Sequence, residues 1–172
     1  MTIQLSVGIP GPDEEDNIGR LLTALLSWNT NRIEITEIVV ISSGSRDDTD
    51  TIVSDFSQEQ PTTRLIKQSM REGKVSAINE FLKVAHNQLV LEGADTIPLD
   101  RTAERFCLPF EDSNVGITGA HPVPVKRVNN FMGYLAHLRW ELHDRIALQR
   151  SKCGARAHPL NVKEIGILKS QW

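Results

Sequence analysis

The amino-acid sequence predicts an α/β domain with a mainly parallel sheet, because strand-like and helix-like segments alternate through its first hundred residues. Alternating apolar residues predict a first strand over Gln4–Ile9, and the β-branched run EIVVIS predicts a second over Glu37–Ser42. Between them, leucines and isoleucine recur at helical spacing from Ile18 to Leu26. Crossovers of this kind are right-handed and place successive strands parallel to one another.

The same alternation continues to about residue 100. A second helix is predicted to carry Ile52, Val53 and Phe56, with Asp47 and Asp48 at its start, where they can cap it. A third strand over Arg64–Lys67, a third helix that follows Arg71–Lys74 and a fourth strand that opens the segment Gln88–Pro98 complete the pattern.

The second half of the chain is less regular. We expect a short helix within Pro98–Phe110 and a strand over Val115–Ala120, whereas the prolines of His121–Val125 exclude a central strand there. A long helix is predicted from Asn130 to about Gln149. Its apolar stripe consists of Phe131, Leu135, Leu138, Leu142 and Ile146. We predict one domain over 1–172, with residues 101–172 forming a shortened second half.

The composition is that of a globular protein. The formal net charge of −3 argues against a basic face, so we expect no nucleic-acid partner. Cys107 and Cys153 form no disulfide or metal-binding pattern, which favours a reducing compartment. The chain has no apolar run of the ~20 residues that a transmembrane helix needs, and its start does not resemble a signal peptide. We therefore predict a cytoplasmic location.

Four segments are predicted to converge at the carboxyl edge of the sheet, where open α/β sheets bind ligands. They are Pro10–Asp16, Ser42–Thr49, Arg71–Asn79 and Gly93–Pro98. None contains a phosphate-loop or dinucleotide-binding glycine motif. Their combination at one edge is what makes each of them a candidate.

Each candidate side chain has a structural alternative. Asp13 and Glu14 can accept hydrogen bonds from a base or ribose, or supply negative charge to a helix N-terminus. The run Ser42–Ser45 can donate to a ribose or phosphate, or simply form a turn. Asp95 can bind a divalent cation or cap the segment before Pro98.

Basic residues in the third of these segments suit a diphosphate. Arg71 and Lys74 can neutralise its charge, and Gly73 allows its backbone to approach closely. The alternative is that both cations are solvated surface residues.

Four stretches resemble the motifs of the family 2 glycosyltransferases, in the same order and at similar spacing across Ile3–Asp100. They read SVGIPGPDEEDNIGRLLTALL, EIVVISSGSRDDT, REGKVSAINEFLKVA and LVLEGADTIP. The resemblance implies the GT-A fold, a three-layer α/β/α Rossmann-like sandwich that binds a nucleotide-diphospho-sugar donor. It also implies Mg²⁺ or Mn²⁺ as the cofactor that holds the donor's diphosphate.

Carried over by position, the resemblance assigns the donor site to residues of all four motifs. These are Pro10, Gly11, Glu14, Ser42, Ser43, Gly44, Arg71, Gly73, Lys74, Ala94 and Asp95. Pro10 and Glu14 would line the base and ribose pocket, and Asp95 would be the metal-binding carboxylate. Ser42 and Ser43 replace an acidic pair that is usual in the family.

Gly93 replaces the first acid of the family's metal motif. Asp95 would then hold the cation together with the donor's phosphate oxygens and water. A metal-independent site that relies on lysine and arginine is the alternative.

Inverting transfer also requires a carboxylate that accepts the proton of the acceptor hydroxyl. The family takes it from the acceptor-binding half, where the candidates are Glu111, Asp112, Glu141 and Asp144. We predict Glu141 and Asp144 as the candidates for this catalytic base, with a solvated helix face as the alternative for each.

The resulting hypothesis is an inverting, metal-assisted glycosyltransferase, with residues 1–100 as the donor-binding half. The acceptor would be a glycan, a lipid or a small molecule, and a homo-oligomer is a candidate assembly. One alternative is a non-catalytic nucleotide-sugar-binding domain, or a truncated enzyme, that acts with a partner. A nucleotidyltransferase on a similar fold is the other.

Overall fold

The computed structural model describes residues 2–28, 30–98, 102–112, 115, 118–119, 131–152, 158–159 and 165–166. Its main sheet has four parallel strands: β1 (Ile3–Pro10), β2 (Ile33–Ser43), β3 (Thr63–Gln68) and β4 (Gln88–Leu91). The helices are α1 (Glu15–Leu26), α2 (Thr49–Glu59), α3 (Lys74–Val84), α4 (Thr102–Cys107) and α5 (Phe131–Lys152). The strand order is β3-β2-β1-β4.

Helices cover both faces of this sheet, so the predicted three-layer α/β fold is confirmed. One core packs α1, α2 and α4 against Leu5, Val7 and Ile9 of β1. The other packs α3, through Ala77 and Phe81, against the opposite face of the sheet. Strands buried on both faces are rich in consecutive apolar residues, which is the pattern that identified β2 from the sequence.

A β-bulge lengthens β2 beyond the predicted strand. Leu5 pairs with Ile35 but Ser6 pairs with Glu37, so Thr36 is an extra residue on β2. Because of this insertion, Ile35 and Ile38 both contribute to the same core. The sequence alternation breaks at the bulge, which is why β2 begins four positions earlier, at Ile33, than the predicted start at Glu37.

Asp47 joins the starts of the first two helices, in addition to the capping role predicted for it. Its carboxylate accepts a hydrogen bond from the Thr49 backbone N–H at 3.1 Å and another from the Glu15 backbone N–H at 3.0 Å. The Glu15 carboxylate in turn accepts from the Asp48 N–H at 3.0 Å. Desolvation opposes ionisation, but the hydrogen bonds from Thr49 and Glu15 outweigh it and lower the pKa of Asp47. The acidic residues therefore hold two neighbouring helix N-termini together.

The second half carries α4, a 3₁₀ turn over Leu108–Glu111 and three two-residue strands: β5 (Thr118–Gly119), β6 (His158–Pro159) and β7 (Ile165–Gly166). The predicted short helix is thus present, and β5 falls within the predicted strand, whose other positions except 115 lie outside the described residues. His121–Val125 and Cys153 also lie outside them. Cys107 is a free, buried cysteine whose pKa burial raises to about 12, so it is a packed, protonated thiol.

The predicted long helix is present as α5, but its apolar stripe does not form part of either core. Phe131, Leu142 and Ile146 are each more than half exposed, and Leu135 and Leu138 are more than one-third exposed. None of the helices in the described part of the chain combines the length and apolar content that a bilayer crossing requires.

A substitution at Gly8 can test the packing of α3 on β1. A Cβ atom at Gly8 would lie 2.5 Å from Cδ1 of Phe81 and would clash with its ring, which is fully buried. We expect Gly8→Ala to lower the free energy of unfolding by about 1–3 kcal/mol, the usual cost of overpacking, as measured by urea denaturation. Gly19→Ala is the matched control, because its Cβ would meet Ile52 at an ordinary 3.6 Å. Equal stabilities for the two variants would contradict this account.

Candidate functional site

The strand order creates a crevice at the carboxyl edge of the sheet. The chain passes from β1 to β2 on one side, whereas β4 pairs with β1 on the other side. The strand order therefore reverses between β1 and β4, and ligands of open α/β sheets bind at such switch points. The loop after β1 begins at Gly11, and the loop after β4 begins at Glu92.

A cavity of about 320 Å³ lies at this point, within the usual size range of small-molecule sites. Its lining consists of Pro10, Gly11, Pro12, Glu14, Ser43, Arg71, Gly73, Lys74, Ala77, Gly93, Ala94 and Asp95. The structure thus brings together nearly all the residues that the sequence assigned to donor binding, from four separate segments. Their roles in binding stay predictions.

Ser42 and Gly44 are the two predicted residues that do not line this cavity. The Ser42 hydroxyl is buried and lies 2.7 Å from the Ser45 hydroxyl. Gly44 has φ of 65°, and a Cβ there would lie 2.8 Å from the Arg71 backbone nitrogen. Gly44 instead lines a second, neighbouring cavity of about 560 Å³. Both residues shape the turn after β2, which was the structural alternative for this run.

Ser43 lines the main cavity, but its hydroxyl also fixes the segment that precedes α3. The hydroxyl accepts a hydrogen bond from the Glu72 backbone N–H at 3.0 Å and lies 3.4 Å from the Met70 carbonyl oxygen. These contacts hold the Arg71-bearing loop against the end of β2. Ser43 is therefore a positioning residue for that loop, whatever contact it makes with a ligand.

Two acidic side chains, Glu14 and Asp95, line the cavity. Glu14 comes from the start of α1 and accepts a hydrogen bond from Asn17 Nδ2 at 3.2 Å. Desolvation raises the pKa of Glu14, and the negative charges of Asp95, Asp47 and Asp13 add to the rise. The described residues contain no group of three or more histidine, cysteine or acidic side chains arranged for a metal ion. A cation at this site would need ligand oxygens in addition to the protein's own.

Gly93 explains how Asp95 takes its position. A Cβ at Gly93 would lie 2.8 Å from Asp95 Oδ1. The exposed Asp95 carboxylate therefore occupies the space that a side chain at position 93 would need. With this backbone, a first acid at position 93 would displace the carboxylate that follows it.

The cationic side of the cavity comes from the start of α3. Gly73, Lys74 and Ala77 line it, so the N-terminus of this helix adjoins the cavity. Unpaired backbone N–H groups and the helix dipole favour anions at such a position. Gly73 has φ of 86°, a left-handed conformation that favours glycine.

Arg71 forms an ion pair with Asp13, which the sequence did not reveal. Asp13 itself has φ of 55° and accepts a hydrogen bond from the Arg46 backbone N–H at 2.8 Å. The pair links the loop after β1 with the loop before α3, beside the cavity. Both side chains are in contact with solvent, so the pair contributes little stability, on the order of 0–1 kcal/mol. A stronger anion can therefore compete for Arg71.

The predicted catalytic carboxylates come from α5, which contributes no residue to the cavity lining in the described part of the chain. Glu141 is exposed and accepts a hydrogen bond from Arg145 at 2.6 Å, one helical turn away. Asp144 lies on the same helix, but its side chain is outside the described set. Glu111 forms an ion pair with Arg32 at the surface. The assignment of Glu141 and Asp144 stays a prediction.

Glu92, by contrast, was missed by sequence reasoning. It directly follows β4, its side chain is only 2% exposed, and its Oε1 contacts the Thr96 hydroxyl. The signal in the sequence was its position directly after the apolar run of β4, a strand that is buried on both faces. A carboxyl group at such a position is rare enough to need an explanation.

Comparisons with known sequences agree on one class of protein. The sequence profile of Glycosyl transferase family 2 matches residues 6–159. Over 95 residues, the chain is 30% identical to a dolichyl-phosphate beta-glucosyltransferase, ALG5A, of Trichomonas vaginalis; the match covers 52% of this chain and 29% of that protein. An uncharacterized glycosyltransferase of Synechocystis, sll0501, is 32% identical over 100 residues, which cover 58% of this chain and 30% of that protein. The matched region thus spans less than one-third of each relative.

Solved structures show the same fold. The mannosyltransferase PcManGT from Pyrobaculum calidifontis, solved with GDP-Man and Mn²⁺, superposes with a TM-score of 0.63 at 25% identity over 78% of this chain and 39% of that one. S. aureus TarS 1-349 in complex with UDP superposes with a TM-score of 0.60 at 19% identity over 76% of this chain and 39% of that one. The second likeness concerns the fold alone.

Proposed function

This chain belongs to glycosyl transferase family 2 and has its GT-A fold, and we propose that its cavity binds a nucleotide-diphospho-sugar whose sugar is transferred to an acceptor. The observation that carries the proposal is the meeting of Arg71, Lys74 and Asp95 around one cavity at the switch point of the sheet. The two basic side chains can neutralise a diphosphate, and the carboxylate can bind the divalent metal ion that accompanies it.

The start of α3 is the proposed diphosphate site. Lys74 and the N-terminal N–H groups of α3 would bind the phosphate oxygens, and Gly73 leaves the backbone open to them. Arg71 would leave its exposed ion pair with Asp13 for the more highly charged diphosphate. In transfer, the same groups would offset the charge that develops on the departing nucleoside diphosphate.

The acidic side chains that line the cavity are suited to binding a divalent cation. Asp95 offers an exposed carboxylate in a cavity that Glu14 also lines, and carboxylate and phosphate oxygens are the ligands that Mg²⁺ and Mn²⁺ prefer. When bound, the cation would supply Lewis-acid stabilisation of the leaving diphosphate. With Gly93 at the position of the usual first acid, Asp95 is the proposed protein ligand. The metal-independent alternative assigns the same task to Arg71 and Lys74.

In the proposed reaction, an acceptor hydroxyl oxygen bonds to the anomeric carbon as the bond from that carbon to the diphosphate breaks, with inversion. The hydroxyl proton passes to a carboxylate, for which Glu141 and Asp144 remain the candidates. One relative is named as a dolichyl-phosphate beta-glucosyltransferase. Dolichyl phosphate is therefore a lipid acceptor to screen, together with glycans and small molecules.

Ligand binding gives the direct test of this function. We expect UDP or GDP, or one of their sugars, to raise the melting temperature in the presence of Mn²⁺, and the matching nucleosides without phosphate to have little effect. At a ligand concentration of 100 times Kd the gain in free energy of unfolding is about 2.7 kcal/mol, which a thermal-shift assay resolves easily. Failure of every nucleoside diphosphate and nucleotide sugar, with and without Mn²⁺, would refute the proposal.

A non-catalytic donor-binding domain is the second candidate. It is favoured by the absence of α5 carboxylates from the cavity lining among the described residues. Both candidates predict donor binding, but transfer to an acceptor, or hydrolysis of the bound donor above the rate in buffer, would exclude the second.

A further inference from the structure

Glu92 is a buried acid beneath the loop that carries Asp95. Its backbone N–H donates to the Gly8 carbonyl at 2.9 Å, which extends the pairing of β4 with β1 by one residue. Its side chain is 2% exposed, and Oε2 has no hydrogen-bond partner among the described residues. An ionised carboxylate with an unpaired buried oxygen would be strongly unfavourable, whereas a neutral carboxyl group costs far less.

The Thr96 hydroxyl supplies a second, geometric argument. Thr96 Oγ1 contacts Glu92 Oε1 and also lies 2.7 Å from the Gly93 carbonyl oxygen. A hydroxyl has one proton to donate, and a carbonyl oxygen can only accept. Both contacts are hydrogen bonds if Thr96 donates to Gly93 and Glu92 donates its own proton to Thr96. An ionised Glu92 would instead leave two acceptor oxygens, those of Thr96 and Gly93, facing each other.

We propose that Glu92 is a positioning residue that keeps its proton on the acid side of neutrality and, as a neutral acid, holds the Gly93–Thr96 turn that presents Asp95 to the cavity. The turn itself is closed by a hydrogen bond from the Thr96 N–H to the Gly93 carbonyl at 3.0 Å. The proton on Glu92 completes this network through the Thr96 hydroxyl. Glu92 does not line the cavity, so it acts on Asp95 through the turn.

The charges around Glu92 agree with this assignment. Burial, with a smaller contribution from the negative charge of Asp95, raises the pKa of Glu92 to about 7, against the opposing effects of Thr96, Gly93 and Lys74. Lys74 faces it from the start of α3, Asp95 faces it from the loop, and β1 contributes the uncharged Gly8 carbonyl. Among the described residues, no basic side chain forms an ion pair with Glu92 that would stabilise its ionised form.

The protonation of Glu92 should affect the binding of a nucleoside diphosphate, an expectation that rests on the proposed function. Arg71 and Lys74 would face a diphosphate beside the negative charges of Glu14 and Asp95. Ionisation of Glu92 would add a further negative charge next to that site and loosen the turn. Binding of a nucleoside diphosphate should therefore weaken as the pH rises through about 7.

The protonation state can be tested on the ligand-free protein, independently of any function. We expect infrared difference spectra of wild type against Glu92→Gln to show a carboxylic-acid C=O band at pH 6 that disappears as the pH rises through about 7. Glu59→Gln, at an exposed position of α2, is the matched control and should leave this band in place. A carboxylate band for Glu92 already at pH 6 would overturn the proposal.

Thr96→Val gives the same readout without altering Glu92. Loss of the hydroxyl that contacts Oε1 should shift the carboxylic-acid band, because the band reports the hydrogen bond of that group. An unchanged band would show that the proton is not shared with Thr96 and would contradict the proposed network. This variant also serves if Glu92→Gln does not fold.

Nucleotide binding then tests the consequence. We expect the Kd of the wild type for GDP with Mn²⁺ to rise at least about fivefold more than that of Glu92→Gln between pH 6 and pH 8.5, a difference that corresponds to about 1 kcal/mol. The comparison cancels the titration of the nucleotide itself, and Glu59→Gln should follow the wild type. Identical pH profiles would overturn the positioning role. If no nucleotide binds at all, the proposed function fails while the infrared result still decides the protonation.

Discussion

Asp95→Asn is expected to weaken Mn²⁺-dependent binding of a nucleoside diphosphate by at least about tenfold, since even the loss of an outer-shell partner commonly costs a metal site that much. Asparagine keeps the size of the side chain but removes the charge that attracts the cation. Position 93 is a glycine, so it supplies no second carboxylate that could take over from Asp95. Isothermal titration of UDP and GDP with Mn²⁺, and again with a chelator, measures the effect.

Asp55→Asn is the control for this experiment, because Asp55 is exposed on α2 and lines neither of the two cavities described above. It should bind nucleotide like the wild type. If Asp95→Asn binds as tightly as wild type, and chelator has no effect on either, the metal assignment is wrong. Arg71 and Lys74 would then carry the diphosphate alone, and Lys74→Ala would become the variant that abolishes binding.

Glu92→Gln is expected to make the protein more stable than wild type at alkaline pH. The folded-state pKa of Glu92 is raised from 4.5 to about 7, so the favourable contribution of its proton is complete below about pH 4.5 and is lost as the pH rises through about 7. Above that pH the wild type must bury a charge, whereas glutamine stays neutral and can still donate to Thr96. The advantage of the variant at pH 8.5 should be on the order of 2–3 kcal/mol.

Urea denaturation of both proteins at several pH values measures this difference. The stability of Glu92→Gln relative to wild type should grow from pH 4.5 to pH 8 and level off above it. Titration of all other groups is common to both proteins and cancels. A difference that is constant across this range would mean that the pKa of Glu92 is the same in the folded and unfolded states, which would contradict its assignment as a buried, protonated acid.

Much of the donor half was accessible from the sequence because its signals are local. The four strands and three helices of the first hundred residues follow from apolar periodicity, and the glycines at positions 44 and 73 mark places where the backbone takes a left-handed conformation. Loops at the carboxyl ends of parallel strands must share one edge of the sheet. The positions of Pro10, Lys74 and Asp95 along the chain are therefore enough to predict that they lie together.

Other features depended on contacts between distant parts of the chain. The bulge at Thr36 breaks the alternation that marks β2, and the ion pair of Asp13 with Arg71 joins two loops that no local pattern connects. The stripe on α5 has helical spacing in the sequence, but periodicity does not say whether a face is covered, and here it is exposed.

The order of the elements and the edge of the sheet at which a ligand would bind both follow from spacing along the chain, so they can be predicted from the amino-acid sequence. The protonation state of Glu92 cannot, because it depends on how the strands pack. Its burial requires β4 to lie beside β1 at the switch point of the sheet, with Gly8 on one side and the Gly93–Thr96 turn above. Whether a carboxyl group keeps its proton depends on the water and charges around it, and those are set by packing.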